Sequence, residues 1–253
     1  MKKFCTAVLI AILSFGCMNV SEDIELSANG AGTYSEEIDL SSLLAFIGAA
    51  SSMDSSAENS SSIPDMDSTI SLKSFADTST SLTPEEKQLM QNAKVRIVTN
   101  QADNIFKMEL VFPFKSMQDL QKLLALNSGT SSMNMMMKSA GLDKSMPADS
   151  ADSQMPDLTS IYTTTCNSGM IDKKINEEKW KAMQENEQFM QLQQSGEMMK
   201  SYTYTTTIHL PSPAKKLVGE KAALSSDKKT VIIQGSIADM TSHPEVFAYH
   251  VDY

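Results

Sequence analysis

Apolar positions in this chain fall mostly at a spacing of two, the mark of strands with one buried face. Ile24 and Leu26 precede Asn29-Gly30-Ala31-Gly32, and Tyr34, Glu36 and Ile38 follow it, so the pattern predicts a hairpin closed by an Asn-Gly turn with positive φ angles. A short helix is expected over 40–47. A second hairpin over 94–99 and 105–112 places Phe106, Met108, Leu110 and Phe112 on one face, with Lys107 and Glu109 opposite. Residues 158–166 read as a strand. Near the C-terminus, Tyr202, Tyr204, Thr206, Ile208 and Leu210 alternate until Pro211-Ser212-Pro213 ends the run. Strands over 230–235 and 246–253 follow, so the last 54 residues read as three strands.

Helical spacing is sparser. Thr83-Pro84-Glu85-Glu86 is a start signal with a capping box and a proline at the first helical position, and the helix is expected to end near 93. Ser116 and Asp119 cap a second helix whose Met117, Leu120 and Leu124 share a stripe, stopped by Asn127-Ser128-Gly129. The longest helix is expected over 176–199, with Ile175, Ala182, Met183, Phe189 and Met190 in one arc and Trp180 at its edge. Two stretches, at about 51–82 and 127–157, are rich in Ser, Asp and Thr or Met and too poor in large apolar groups to offset their ordering entropy. They read as flexible loops. The order β-β-α, loop, α-β-β-α, loop, β-α-β-β-β predicts an α+β fold, a largely antiparallel sheet built from hairpins with about four helices packed mainly on one face.

The N-terminus sets the address. Lys2 and Lys3 precede an almost wholly apolar run over 4–15 that ends in Gly16-Cys17. A charged region followed by a short apolar one is an export signal, too short for a permanent membrane span. Ser14-Phe15-Gly16-Cys17 resembles a bacterial lipobox, with cleavage between Gly16 and Cys17 and acyl chains on the Cys17 thiol, although Phe15 and Ser14 depart from the usual small and aliphatic residues. The other reading is an ordinary signal peptide with an incidental cysteine. Under the lipobox reading residues 1–16 are removed, 17–253 form a single domain anchored to a membrane without crossing it, and loss of Lys2 and Lys3 takes the formal charge from -10 to -12. Met18, in place of Asp, after the cysteine points to the outer membrane over the inner. The acidic pair Glu22-Asp23 is a thin sign of surface export. Cys5 leaves with the signal, so Cys166 has no disulfide partner and reads as a buried or idle thiol.

Composition narrows the chemistry. With 31 acidic against 21 basic residues, and Arg96 the one arginine, the chain lacks the basic footprint of nucleic-acid binding. The histidines are His209, His243 and His250. His209 is expected at the surface, and although His243, Glu245 and His250 could gather round a metal, their spacing matches no ligand pattern. Neither a G-x-S-x-G elbow nor a phosphate-binding glycine loop is present. Met133, Met135, Met136 and Met137, among 19 methionines, are weak candidates for a Cu(I) site, with an adaptable apolar surface for a partner or lipid, or incidental composition, as the competing readings. No cofactor and no catalytic residue is expected. The ranked functions are a non-catalytic binding module for an apolar ligand or envelope partner, a structural envelope component, and an enzyme whose site only the fold assembles.

A Tyr/Thr-rich strand running into Leu210-Pro211, then Leu224-Ser225-Ser226-Asp227-Lys228-Lys229-Thr230-Val231, a strand ending near Gly235, and the early hairpin around Asn29-Gly30 and Gly32 together resemble uncharacterised envelope lipoproteins of Bacteroidetes-type bacteria. They are also distantly similar to the LppM-type lipoprotein domain. That resemblance implies an α+β sheet domain held at a membrane and binding a lipid-like molecule. It transfers no catalytic residue.

Overall fold

A computed structural model describes residues 19–42, 65–80, 82–126, 156–194 and 196–253. In chain order the strands are β1 (Asn19–Leu26), β2 (Gly32–Asp39), β3 (Met66–Ser71), β4 (Lys94–Asn100), β5 (Ile105–Phe114) and β6 (Tyr162–Asn167). They continue with β7 (Met170–Ile175), β8 (Thr203–His209), β9 (Lys216–Val218), β10 (Ala222–Leu224), β11 (Thr230–Ser236) and β12 (Tyr249–Asp252). The helices are α1 (Lys73–Thr78), α2 (Pro84–Met90), α3 (Met117–Leu126), α4 (Glu177–Gln184), α5 (Glu187–Gln194), α6 (Gly196–Met199) and α7 (Ile237–Ser242).

The α+β architecture and its antiparallel bias hold, but the strands divide between two sheets. Eight form one sheet in the order β10-β11-β8-β1-β2-β5-β4-β3, antiparallel throughout except for the parallel pair β1 and β8. The other four form a small antiparallel sheet, β6-β7-β12-β9. Alternation along β5 buries Phe106, Met108, Leu110, Phe112 and Phe114 on the inner face of the large sheet. Helices α2 and α3 pack on that strand. The small sheet turns Tyr162, Ile171, Tyr249 and Val251 inward, and edge-to-face packing of Tyr204 on Phe247 at 5.6 Å joins the layers. Its outer side is polar: His250 lies 3.3 Å from Asp172 and 3.2 Å from Asp252, and Lys174 lies 2.6 Å from Asp172.

The first hairpin forms as expected, pairing Glu22 with Glu36 and Ile24 with Tyr34. Only Gly30 of the turn is left-handed, at φ 81°, with the Ser27 amide donating to the Ala31 carbonyl at 2.8 Å. Gly32 is required for a different reason. A Cβ there would sit 1.8 Å from the Glu25 carbonyl oxygen and 2.6 Å from the Phe114 ring. The capping box at Thr83 and Glu86 is present as read, as is the Ser116 bond to the Asp119 amide.

Four sequence expectations need correction. The loop expected at 51–82 contains β3 and α1, because β3 pairs with β4, Asp67 forms a two-pronged ion pair with Arg96 at 2.9 and 3.0 Å, and Leu72 and Ala76 are buried. The long helix over 176–199 is three short ones: the Asn186 side chain accepts from the Phe189 amide at 3.0 Å and so starts α5 afresh, leaving Met190 exposed. Residues 158–161 are a 3-10 turn, and the strand expected to begin there begins at Tyr162, followed by β7, which no expectation covered. The last 54 residues hold five strands and a helix, α7, started by a Ser236 and Asp239 capping box. The helix expected over 40–47 is seen at Ser41 and Ser42, and its remainder lies outside the described residues.

Candidate functional site

The two sheets do not close completely on each other. Between them lies a cavity of about 380 Å³. The small sheet contributes Tyr162, Thr163, Thr164, Lys173 and Tyr249 to its walls. Glu22 comes from β1 at the centre of the large sheet, and Gln121, Lys122, Leu124 and Ala125 come from α3. Thr159 and Ser160 of the 3-10 turn, and Lys179 of α4, complete it.

Strand parity explains why charge reaches the floor. On β1 the inward positions are Glu22, Ile24 and Leu26, and on β7 they are Ile171 and Lys173, so each charged residue occupies a position where the pattern otherwise places an aliphatic group. Glu22 is only 6% exposed. Its Oε1 accepts from the Tyr34 hydroxyl at 3.2 Å and its Oε2 from the Thr206 hydroxyl at 2.9 Å, which offsets part of the cost of burying a carboxylate. Burial, and then the charge of Glu22, push the phenols of Tyr204 and Tyr249 well above their ordinary value. Tyr162 is raised by burial, then by Glu245, and donates to the Pro244 carbonyl at 2.7 Å.

Lys173 is 7% exposed. Its Nζ stands 4.9 Å from the centre of the Tyr162 ring and 5.8 Å from that of Tyr204. Among the described residues its ammonium forms no hydrogen bond and no ion pair. At the rim, Lys122 is held by Glu85 at 2.6 Å, while Lys179 is exposed. The cavity therefore combines a buried cation, a carboxylate with free acceptor capacity, hydroxyls and aromatic faces, with Leu124 and Ala125 as its apolar wall.

The residues singled out from sequence lie elsewhere. Gly16, Cys17, Met133, Met135, Met136 and Met137 are outside the described residues. His209 pairs with Asp23 at 3.1 Å, His243 with Glu245 at 3.4 Å, and His250 with its two aspartates, so the histidines serve separate surface pairs. Among the described residues no three His, Cys, Asp or Glu side chains are grouped to hold a metal. Cys166 is buried, and burial pushes its thiol up to about 12. Glu22, read from sequence as half of an acidic export pair, belongs to the core. Lys173 was missed with its strand. The signal was there: Ser168-Gly169 is a turn pair, Gly169 takes φ 83°, and Ile171, Lys173 and Ile175 alternate after it.

No protein-family model matches the chain, and no curated protein matches it. Among solved structures, the folded domain of Mycobacterium tuberculosis LppM, determined by NMR, is similar over 93% of this chain and 90% of that one, at 9% identity and a TM-score of 0.38. That likeness is too distant to carry residue roles or function across. The fold itself defines a class: an α+β protein with two sheets and a charged cavity lined from both.

Proposed function

We propose that this chain is a non-catalytic binding protein of the cell envelope, anchored to the outer membrane through acylated Cys17 and holding a small ligand between its sheets. The observation that carries the reading is the cavity with Lys173 and Glu22 in its floor. A purely structural component has no use for an open cavity with charges at core positions, which cost stability unless something engages them. An enzyme reading finds less support, because among the described residues the cavity is lined by one carboxylate, Glu22, and by neither His243 nor His250. Sequence alone points to an apolar ligand or an envelope partner. The cavity walls add a polar head to that ligand, facing Lys173, Glu22 and the Thr and Ser hydroxyls, with any apolar part on the side of Leu124 and Ala125.

The anchor fits the same picture. Among the described residues no helix is long and apolar enough to cross a membrane. Since β1 begins at Asn19, only Met18 separates the strand from Cys17, and two extended residues reach at most ~7 Å. Acylation would press one end of the large sheet, where Asn19 pairs with Asp39 and Thr203, against the headgroups. The test is native mass spectrometry of the full chain expressed in an envelope-bearing bacterium and purified in mild detergent. A discrete added mass that organic extraction removes supports a binding protein, and loss of both palmitate labelling and membrane association in Cys17→Ser supports the anchor. A bare polypeptide mass that lipid extracts fail to increase overturns the binding reading.

A further inference from the structure

An ammonium group carries three donors and no acceptor, and lysines buried in folded proteins are almost always paired. Among the described residues Lys173 has no such partner. Tyr162 and Tyr204 offer it the faces of their rings, which attract a cation but take none of its N–H donors. Glu22 shares the cavity wall, but the Tyr34 and Thr206 hydroxyls hold it, and among the described residues no ion pair joins it to Lys173. Glu36 faces Glu22 across the hairpin without lining the cavity. With Lys122 engaged by Glu85, Lys173 and Lys179 are the remaining cations lining the cavity among the described residues, beside the carboxylate of Glu22. Thr163, Thr164, Thr159 and Ser160 line the same walls with hydroxyls.

The geometry points to Lys173 as the anchor of an anion-binding subsite, one that takes a phosphate group flanked by hydroxyls. The inference rests on the reading of the cavity as a ligand site and names the chemistry of its occupant. An oxyanion entering from the Lys179 side satisfies the unmet donors of Lys173, and hydroxyls next to it reach the remaining acceptor positions of Glu22 and the threonine side chains. A glycerophospholipid headgroup and a soluble sugar or polyol phosphate share this chemistry.

Isothermal titration of the full chain in maltoside micelles distinguishes the sources. The probes are glycerol 3-phosphate, dioleoylphosphatidylglycerol and neutral dioleoylglycerol, each against the wild type, Lys173→Met, Lys173→Arg and Lys179→Met. We expect at least one phosphate probe to bind, with affinity falling roughly tenfold or more in Lys173→Met, recovering in Lys173→Arg, and falling about threefold or less in Lys179→Met, whose exposed charge salt screens. Binding of glycerol 3-phosphate identifies the phosphate as sufficient; binding of the phospholipid alone identifies a lipid headgroup. Equal affinity in Lys173→Met, or dioleoylglycerol binding as tightly as the phospholipid, overturns the subsite. Absence of heat with every probe overturns it too, while an extractable adduct in the native mass spectrum would still leave the cavity a ligand site. Should Lys173→Met fail to fold, Lys173→Gln serves the same comparison.

Discussion

Replacing Lys173 with methionine should make the unliganded protein more stable. Nearly all of the lysine is out of water, and the effective cost of burying an ammonium is on the order of several kcal/mol. Against that, each ring contact returns roughly 0.5–2 kcal/mol, and the ring at 5.8 Å gives the lesser share. Methionine has nearly the same reach, and its sulfur regains about 0.3–1.5 kcal/mol on the same aromatic faces. Several kcal/mol of burial cost against these returns favours Lys173→Met by about 1–4 kcal/mol. For a domain of this size that is a rise of roughly 2–4 °C in Tm per kcal/mol. Trp180, the single tryptophan, packs edge-on against Phe189 at 5.4 Å and reports guanidinium unfolding by fluorescence. Destabilisation by more than about 1 kcal/mol would refute the reasoning, because it would mean that Lys173 is held by the core's own charges. A double-mutant cycle with Glu22→Gln locates the error: coupling of about 1 kcal/mol or more assigns Lys173 to Glu22 and removes it from ligand binding.

Three further outcomes follow from particular contacts. Thr206→Val leaves Glu22 Oε2 without its donor and should cost about 1–3 kcal/mol in chemical denaturation, whereas the same change at the half-exposed Thr205 should cost little. Gly32→Ala drives a methyl group into the Glu25 carbonyl and the Phe114 ring, and should cost at least about 1–3 kcal/mol; an unchanged unfolding midpoint would show that the hairpin tolerates a side chain there. Cys166 should not react with Ellman's reagent at pH 8 until the protein is unfolded. The same group, with Tyr204 and Tyr249, sets the alkaline limit. Their protons leave the unfolded chain near the ordinary values of 9.0 and 10.0 but are retained higher in the native one, so stability is whole below pH 9 and falls steadily above it. A urea midpoint that stays level from pH 8 to 11 would contradict that assignment.

How much could be read in advance depended on how local the determinant was. The alternation of Phe106 to Phe112, the Thr83 capping box and the Asn29-Gly30 turn are each decided within a few residues, and each is present in the fold. Strand β3 escaped notice because its partner decides it: Asp67 and the residues around it gain order only through Arg96 and β4, 29 positions away. The helix over 176–199 kept its period through Asn186, but a side-chain cap there outweighed the pattern. The site was hidden for a related reason. Glu22 and Lys173 look like solvated charges in a linear reading, and only the register of β1 beside β8, and of β7 beside β12, turns both inward across from each other. A lysine on the apolar parity of a six-residue strand was the visible clue, and it had no meaning until that strand was recognised.

A crystal structure of the full chain as purified from envelope membranes decides whether the space between the sheets is a ligand site anchored on Lys173. Density for a non-protein group is expected between the sheets, with an oxygen at about 2.7–3.2 Å from Lys173 Nζ. A cavity holding only water, with Nζ turned to Glu22 in a direct ion pair, would contradict it.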